Sequence, residues 1–486
     1  MPRTSAPARL HAARPLRLAS ILAASALAGM LAGCAIPWGS EAASGPAATL
    51  AATPSDWSAP LPHGGNLQDL NQWWTQLGDA LLVDLIASAQ EVNPSITGAA
   101  SRLTQARAAF TSAQSASLPA LDASASVQRG VNSQSPIVGT AQQGSLNASW
   151  EIDVLGGNRA SAQAAAARAR GAQAQWHEAR VSVAAEVASL YFNLRTCRQL
   201  QERLQVDAAS RQETARLSAL TTQAGFSAPA TLALARASAA EGQARLRQQQ
   251  SQCESGVKAM VALSGMAEAS LRKRLDAAPL VDTTRVMPVV ASVPASVLAQ
   301  RPDLYSAEHD VAAASADIGA AQAQRYPRLM LSGSVGQFNY TNALGSTDLS
   351  TWSVGPIAVT LPLLDGGRRK AQVEAAEARY VEAASLYRAR VRQAVREVED
   401  AMQQLASADA RRGDAAVAAT GYAASFEATQ ARYKAGTASL PELEDARRIT
   451  LAAQMALMQL ELERSQTWVS LYRALGGGWS REATGP

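Results

Sequence analysis

This 486-residue sequence predicts a mainly α-helical fold with a membrane β-barrel portion, built from two structural repeats per chain. Three observations carry that expectation. The chain is internally duplicated at an offset of about 210 residues. Two pairs of segments alternate apolar and polar residues strictly, and long proline-free stretches space apolar residues four and three apart. Composition removes other classes. Three cysteines in so long a chain cannot form a disulfide scaffold. His11, His63, His177 and His309 stand far apart, so no metal site is expected. Residues 1–33 hold Arg3, Arg9, Arg14 and Arg17 without an acid, which equals the whole formal charge of +4. The remainder is neutral and gives no reason to expect nucleic acid. No phosphate-binding glycine loop, HExxH, GxSxG or His/Cys pairing occurs, so no catalytic residue and no cofactor are expected.

Residues 1–33 read as a secretory signal peptide, with arginines first and then the short apolar run Leu18 to Leu31. The run ends in Leu31-Ala32-Gly33-Cys34, which resembles a bacterial lipobox. That resemblance implies cleavage before Cys34, diacylation of its sulfur and acylation of its new amino group, enough for stable anchoring. Ala35, in place of Asp, resembles the sorting pattern of outer-membrane lipoproteins. Residues 34–65 form an Ala/Ser/Pro/Gly-rich tether. No later stretch has 18 uncharged apolar residues, so any crossing of a bilayer must use strands.

The duplication has four anchors in one order. Asn93-Pro94 matches Arg301-Pro302, Pro119 to Val127 matches Pro327 to Val335, Gly156-Gly157 matches Gly366-Gly367, and Ala224-Gly225 matches Ala435-Gly436. The first repeat (66–275) predicts a helix, strands at about 121–130 and 143–154, and a helical hairpin over 158–265. After a linker (276–300), the second repeat (301–475) predicts a helix, strands at about 329–340 and 350–361, and a hairpin over 367–475, then a tail (476–486). Leu121, Ala123, Ala125 and Val127 alternate with Asp122, Ser124, Ser126 and Gln128, as a lipid-out, water-in strand requires. A half-buried hairpin of a soluble domain has the same local pattern. Pro356 weakens the last strand. Residues 131–142 and 341–349 read as polar loops. Val183, Val187, Leu190, Leu194 and Cys197 follow heptad spacing, as do Val391, Val395, Val398, Met402 and Leu405. Gly171 is a candidate soft point in the first long helix.

Four strands cannot close a spanning barrel, and open edges cannot face lipid. Two copies would give a plugged barrel of eight strands, and three copies a 12-stranded barrel wide enough for water. A homotrimer with a helical tube below its barrel is therefore expected.

Several motifs in order resemble the TolC-like outer membrane factors, most of all the NodT-type lipoprotein subunits of resistance–nodulation–division efflux systems. They include the lipobox, Trp73-Trp74, Asn93-Pro94, Arg301-Pro302-Asp303-Leu304, Tyr326-Pro327, Leu364-Asp365-Gly366-Gly367 and Leu471 through Trp479. The resemblance implies a trimeric exit duct in the outer membrane on a periplasmic helical barrel. The duct would dock through a periplasmic adaptor (membrane fusion) protein onto an inner-membrane pump. It further implies that Gly225 and Gly436 are adaptor-contacting tips and that Tyr433, Glu442 and Asp445 form the closed entrance. Thr231 departs from a position that is acidic in the best-known relative, which leaves a second acidic constriction unsupported. Plainer readings stand beside these. Ser439 and Glu442 have capping-box spacing, Glu442 and Asp445 suit a helix's first turns, and Gly225 and Gly436 suit ordinary helix ends. Cys197 and Cys253 lie about 28 residues either side of Gly225, at equal height in a hairpin turning there. In an oxidising periplasm they form a disulfide, or they are two buried thiols on neighbouring seams.

Two other functions compete. A non-pore coiled-coil lipoprotein predicts no strands, against the alternation at 121–128 and 145–154. A duct for protein or oligosaccharide export keeps the fold and changes the cargo.

Overall fold

A computed structural model describes residues 73–132, 135–278 and 298–479. The signal peptide, Cys34, the tether, most of the linker and the tail from 480 lie outside the described residues. After a 3-10 turn (Thr75–Leu77) the elements are α1 (Ala80–Val92), α2 (Pro94–Ser115), β1 (Ala120–Asn132), β2 (Ser135–Ile152), α3 (Gly157–Gln223) and α4 (Pro229–Ser264). They continue with α5 (Glu268–Ala277), α6 (Pro302–Ala323), β3 (Arg328–Asn342), β4 (Gly345–Thr360), α7 (Arg368–Lys434) and α8 (Leu440–Ala474). The repeat is thus visible as α2-β1-β2-α3-α4 followed by α6-β3-β4-α7-α8.

Local chemistry sets the helix starts. Asp79 caps α1 by accepting from the backbone of Leu81 and Leu82 at 3.1 and 3.2 Å, and Tyr191 donates to its other oxygen. Asn93 caps α2 by accepting from Ser95 at 2.8 Å, and Pro94 follows it in the first turn. Helices α3 and α7 each run for 67 residues, on the order of 100 Å. Gly171 does not soften α3. It is buried against Ser306 and His309 of α6, so its propensity cost of about 1 kcal/mol is offset by close helix packing.

The four strands form one antiparallel sheet in the order β1-β2-β3-β4. Its register aligns the apolar residues across all strands. Leu121, Ala148, Gly333 and Val354 share one row, and Ala123, Leu146, Val335 and Trp352 the next. Trp150, Leu331 and Ile357, then Ile152, Leu329 and Val359, continue the same face. These rows span about 20–25 Å of strand, close to the apolar band of a spanning barrel. Trp352 and Val354 are among the most exposed large apolar residues, as lipid contact requires. The other face carries hydroxyls and amides. Ser124 and Ser145 lie 2.9 Å apart, as do Ser334 and Ser353, and Asn147 donates to Ser124 at 3.2 Å.

The expected loops at 131–142 and 341–349 are corrected: most of these residues are strand. Gln142, Asn339 and Asp348 share a row with Val127, so on three of the four strands the apolar face gives way to polar residues there while the pairing continues to the turns. Pro356 stays within β4 because Gly355 and Pro356 together oppose Ser332, a bulge that relieves the ladder of the missing donor.

The largest core lies where the long helices meet α1, α5 and the end of α8. Trp73 stacks on Trp468 at 4.5 Å and Trp74 meets Tyr472 edge-on at 4.6 Å. Helix α5 lies beyond the hairpin expected over 158–265, and its Leu271 and Leu275 enter this core. Gly476 packs against the residues that lead into α6: a Cβ there would lie 2.2 Å from the Gln300 carbonyl.

Candidate functional site

Two hairpins, α3–α4 and α7–α8, turn at Gly225 and Gly436 with φ of 79° and 76°. Both turns are closed alike. Gly225 and Gly436 donate to the carbonyls of Thr222 and Tyr433, and the next residues, Phe226 and Thr437, donate to Thr221 and Arg432. This is the left-handed helix ending that glycine permits without strain. The tips differ in chemistry: Phe226 is 87% exposed, whereas the second tip continues with Thr437.

Tyr433, Glu442 and Asp445 all lie beside the second tip. Tyr433 packs beside Ala235, Leu440 and Leu443, a small apolar cluster joining the two hairpins. The capping box is formed. Ser439 donates its backbone N–H and its hydroxyl to one Glu442 oxygen at 2.6 and 2.8 Å, and Glu442 N–H returns to Ser439 Oγ at 3.4 Å. Those bonds hold the Glu442 carboxyl below its usual range. Asp445 pairs with Arg448 at 2.5 Å. Both acids are exposed.

Farther along the hairpins from these tips lies a buried charge cluster with no local signal in the sequence. Arg211 of α3 donates to Asp207 at 2.8 Å, to Ser238 of α4 at 2.7 Å and to Glu444 of α8 at 3.0 Å. Arg447 donates to Glu444 at 2.5 Å, to Ser210 at 3.0 Å and to Thr214 at 3.2 Å, and lies over the Phe426 ring. Burial pulls the Arg447 guanidinium down from the ordinary arginine range, while Glu444 and Asp207 pull it up. The cluster therefore ties the first hairpin to the second through polar groups removed from water. Cys197 and Cys253 face each other between α3 and α4, with sulfurs 2.05 Å apart and Cα atoms 5.7 Å apart.

Among the described residues no helix is long and apolar enough to cross a membrane, and no group of metal-ligating side chains is assembled. A sheet with one lipid-compatible and one hydroxyl-lined face, continuing into helices of about 100 Å, defines the class: a subunit of a strand-spanning duct. The comparisons give the family. The chain matches the outer membrane efflux protein family over residues 85–266 and 293–477, one match for each repeat, and it belongs to that family. It is 28% identical to the outer membrane protein OprJ of Pseudomonas aeruginosa, over 89% of this chain and 91% of OprJ. It is 27% identical to TtgI, the toluene efflux pump outer membrane protein of Pseudomonas putida, over 83% and 86%. Among solved structures it resembles the Campylobacter jejuni CmeC outer membrane channel with a TM-score of 0.80 and 23% identity, covering 88% and 94%. The chain is an outer-membrane efflux channel component of TolC-like fold.

Proposed function

We propose that three copies of this chain, each held to the outer membrane by acylation at Cys34, form the exit duct of a tripartite pump. The duct carries small molecules from the periplasm to the exterior. A periplasmic adaptor meets the tips at Gly225 and Gly436, and an inner-membrane pump of the resistance–nodulation–division class supplies the energy. Small apolar cargo is favoured by the relation to a toluene efflux protein.

The observation that carries this reading is an unfinished symmetry. Helix α6 packs between α3 and α7, whereas its repeat partner α2 packs extensively against α3 alone. Strands β1 and β4 leave open edges on a face built for lipid, which a bilayer does not tolerate. The contact between the first and second repeats supplies the pattern for the missing one. Repeating the β2–β3 register between β4 of one copy and β1 of the next sets Val359 opposite Ala125, Ile357 opposite Val127 and Leu361 opposite Ala123. Every such pair falls on the apolar face, so the rotation closes into a ring.

Two experiments test this. An Ala125→Cys/Val359→Cys variant is expected to give covalent trimers on oxidation in outer membranes, and Ala123→Cys/Val359→Cys is not. Monomers from both would refute the closure. Reconstituted protein is expected to conduct, and Glu442→Gln/Asp445→Asn to lose cation preference because three copies bring six carboxylates to one axis. Unchanged selectivity would remove these acids from the constriction.

A further inference from the structure

The hydroxyl-lined face of the sheet is broken near the hairpin turns. One of its rows is Ser124, Ser145, Gly336 and Thr351, and the next toward the turns is Ser126, Gln143, Phe338 and Leu349. A phenyl ring and an isobutyl group thus stand side by side where the row beneath has hydroxyls and a glycine. Phe338 lies four residues beyond Ser334, and Leu349 four before Ser353, and the pairing between these points is unbroken. The hydroxyls of Ser334 and Ser353 meet at 2.9 Å on this same face. Tyr340 follows Phe338 on it, over Gly139, where a Cβ would collide with the ring, and donates to the Ile137 carbonyl at 3.0 Å. Leu349 is 55% exposed. The turn that joins β3 to β4, Ala343-Leu344, is too short to fold back over it. Apolar side chains on a water face forgo the burial that stabilises them elsewhere.

We propose that Phe338 and Leu349 are a binding patch for aromatic cargo inside the exterior end of the duct, the last contact before release. The proposal rests on the duct reading above and deepens it by naming the chemical class that is held. Strands about 4.8 Å apart, twelve in number and tilted about 40°, enclose a cylinder of about 12 Å backbone radius. Across that width the patches of three copies do not close on one another, so what reaches them is what passes along the axis. A phenyl ring pairs with an aromatic molecule edge-on or offset, and its face also attracts a cation. Ser126 and Gln143 of the same row offer a hydroxyl and an amide to polar substituents. One ring and one isobutyl group hold a molecule only briefly, as a conducting path requires of each of its sites.

The test uses the full chain reconstituted in planar bilayers, with tetraphenylphosphonium added on the side of the strand hairpins. This aromatic cation is expected to interrupt the wild-type current. Phe338→Ser/Leu349→Ser, which continues the hydroxyls of the row beneath, is expected to weaken that block about tenfold. Block by tetraethylammonium, which has no ring, should be the same in both proteins, and Phe338→Tyr should keep the wild-type response. Equal block of wild type and the double variant by tetraphenylphosphonium would overturn the proposal. Equal weakening for both cations would overturn it too, since the effect would then not need a ring. Protein that conducts in neither form counts against the duct reading and not against the patch. The patch is then read by fluorescence polarisation of rhodamine 6G with the detergent-solubilised protein. Binding about tenfold weaker in the double variant supports it, and equal binding refutes it.

Discussion

Glu444→Ala is expected to unlock the periplasmic end of the duct. One Glu444 oxygen accepts from Arg211 of α3 and Ser238 of α4, and the other from Arg447 on its own helix. Its side chain is 13% exposed, and those of Arg211 and Arg447 are 6% and 4% exposed. Removing this carboxylate leaves two buried guanidiniums with Asp207 as the remaining acid of the cluster. Deleting one partner of a buried ion pair costs about 3–5 kcal/mol, because the charges left behind must be rehydrated. Here water reaches them when the second hairpin swings away from the first. The cost therefore appears as a shift toward separated hairpins of about a hundredfold or more in the equilibrium. Single-channel recording is expected to show a larger and more frequent open state than wild type. Glu444→Gln keeps the shape and one acceptor and should fall between them. Wild-type conductance for Glu444→Ala would mean that the cluster does not hold the entrance shut.

The strands were legible because lipid and water impose opposite demands on alternate residues, and Leu121 to Gln128 obeys both. Their upper ends were not, because that contrast disappears there. Gln142, Asn339 and Asp348 are polar and strand-paired, and read alone they resemble loop. The tips were legible through Gly225 and Gly436, whose backbone conformation few other residues adopt. Burial of Arg211 and Arg447 could not be read. It depends on Asp207 and Glu444, which lie on different hairpins and meet only after both have folded. Helix α5 escaped for a related reason: only Leu271 and Leu275 of its 10 residues are buried, too few for a periodic signal. Glu442 shows the limit from the other side, since one carboxylate fits both a cap and a constriction, and only its single-chain role is visible in a single chain.

Arg301→Ala is expected to be strongly destabilising, and increasingly so as pH rises. In the first repeat the matching residue is Asn93, which simply caps α2. Arg301 instead joins three helices. It donates to the Ala474 carbonyl at the end of α8 at 2.8 Å, to both oxygens of Asp303 at 3.0 and 2.8 Å, and to Glu397 of α7 at 2.8 Å. Its side chain is 7% exposed, so removal falls in the range of about 3–5 kcal/mol for a broken buried pair. The pH dependence follows from Glu178, which lines a cavity of about 410 Å³ with Arg301, Asp303 and Glu397. Burial and the Asp303 carboxylate push Glu178 above its usual range, while nearby arginines, Arg301 among them, pull it down. For an acid raised in the folded state, the stabilising contribution is present below its ordinary pKa and is lost as pH rises through the raised value. Deleting Arg301 raises Glu178 further and leaves four carboxylates, Glu178, Asp303, Glu397 and Asp400, around one cavity with Arg473 as the remaining cation of its lining, so the variant loses most at neutral and alkaline pH. Thermal dissociation of the assembled protein at pH 5 and pH 8 reads this directly. The gap between wild type and Arg301→Ala should be wider at pH 8, with Arg301→Lys, which keeps the charge but not the paired contacts, recovering part of it. An equal gap at both pH values would show that Arg301 acts through the Ala474 carbonyl and packing alone.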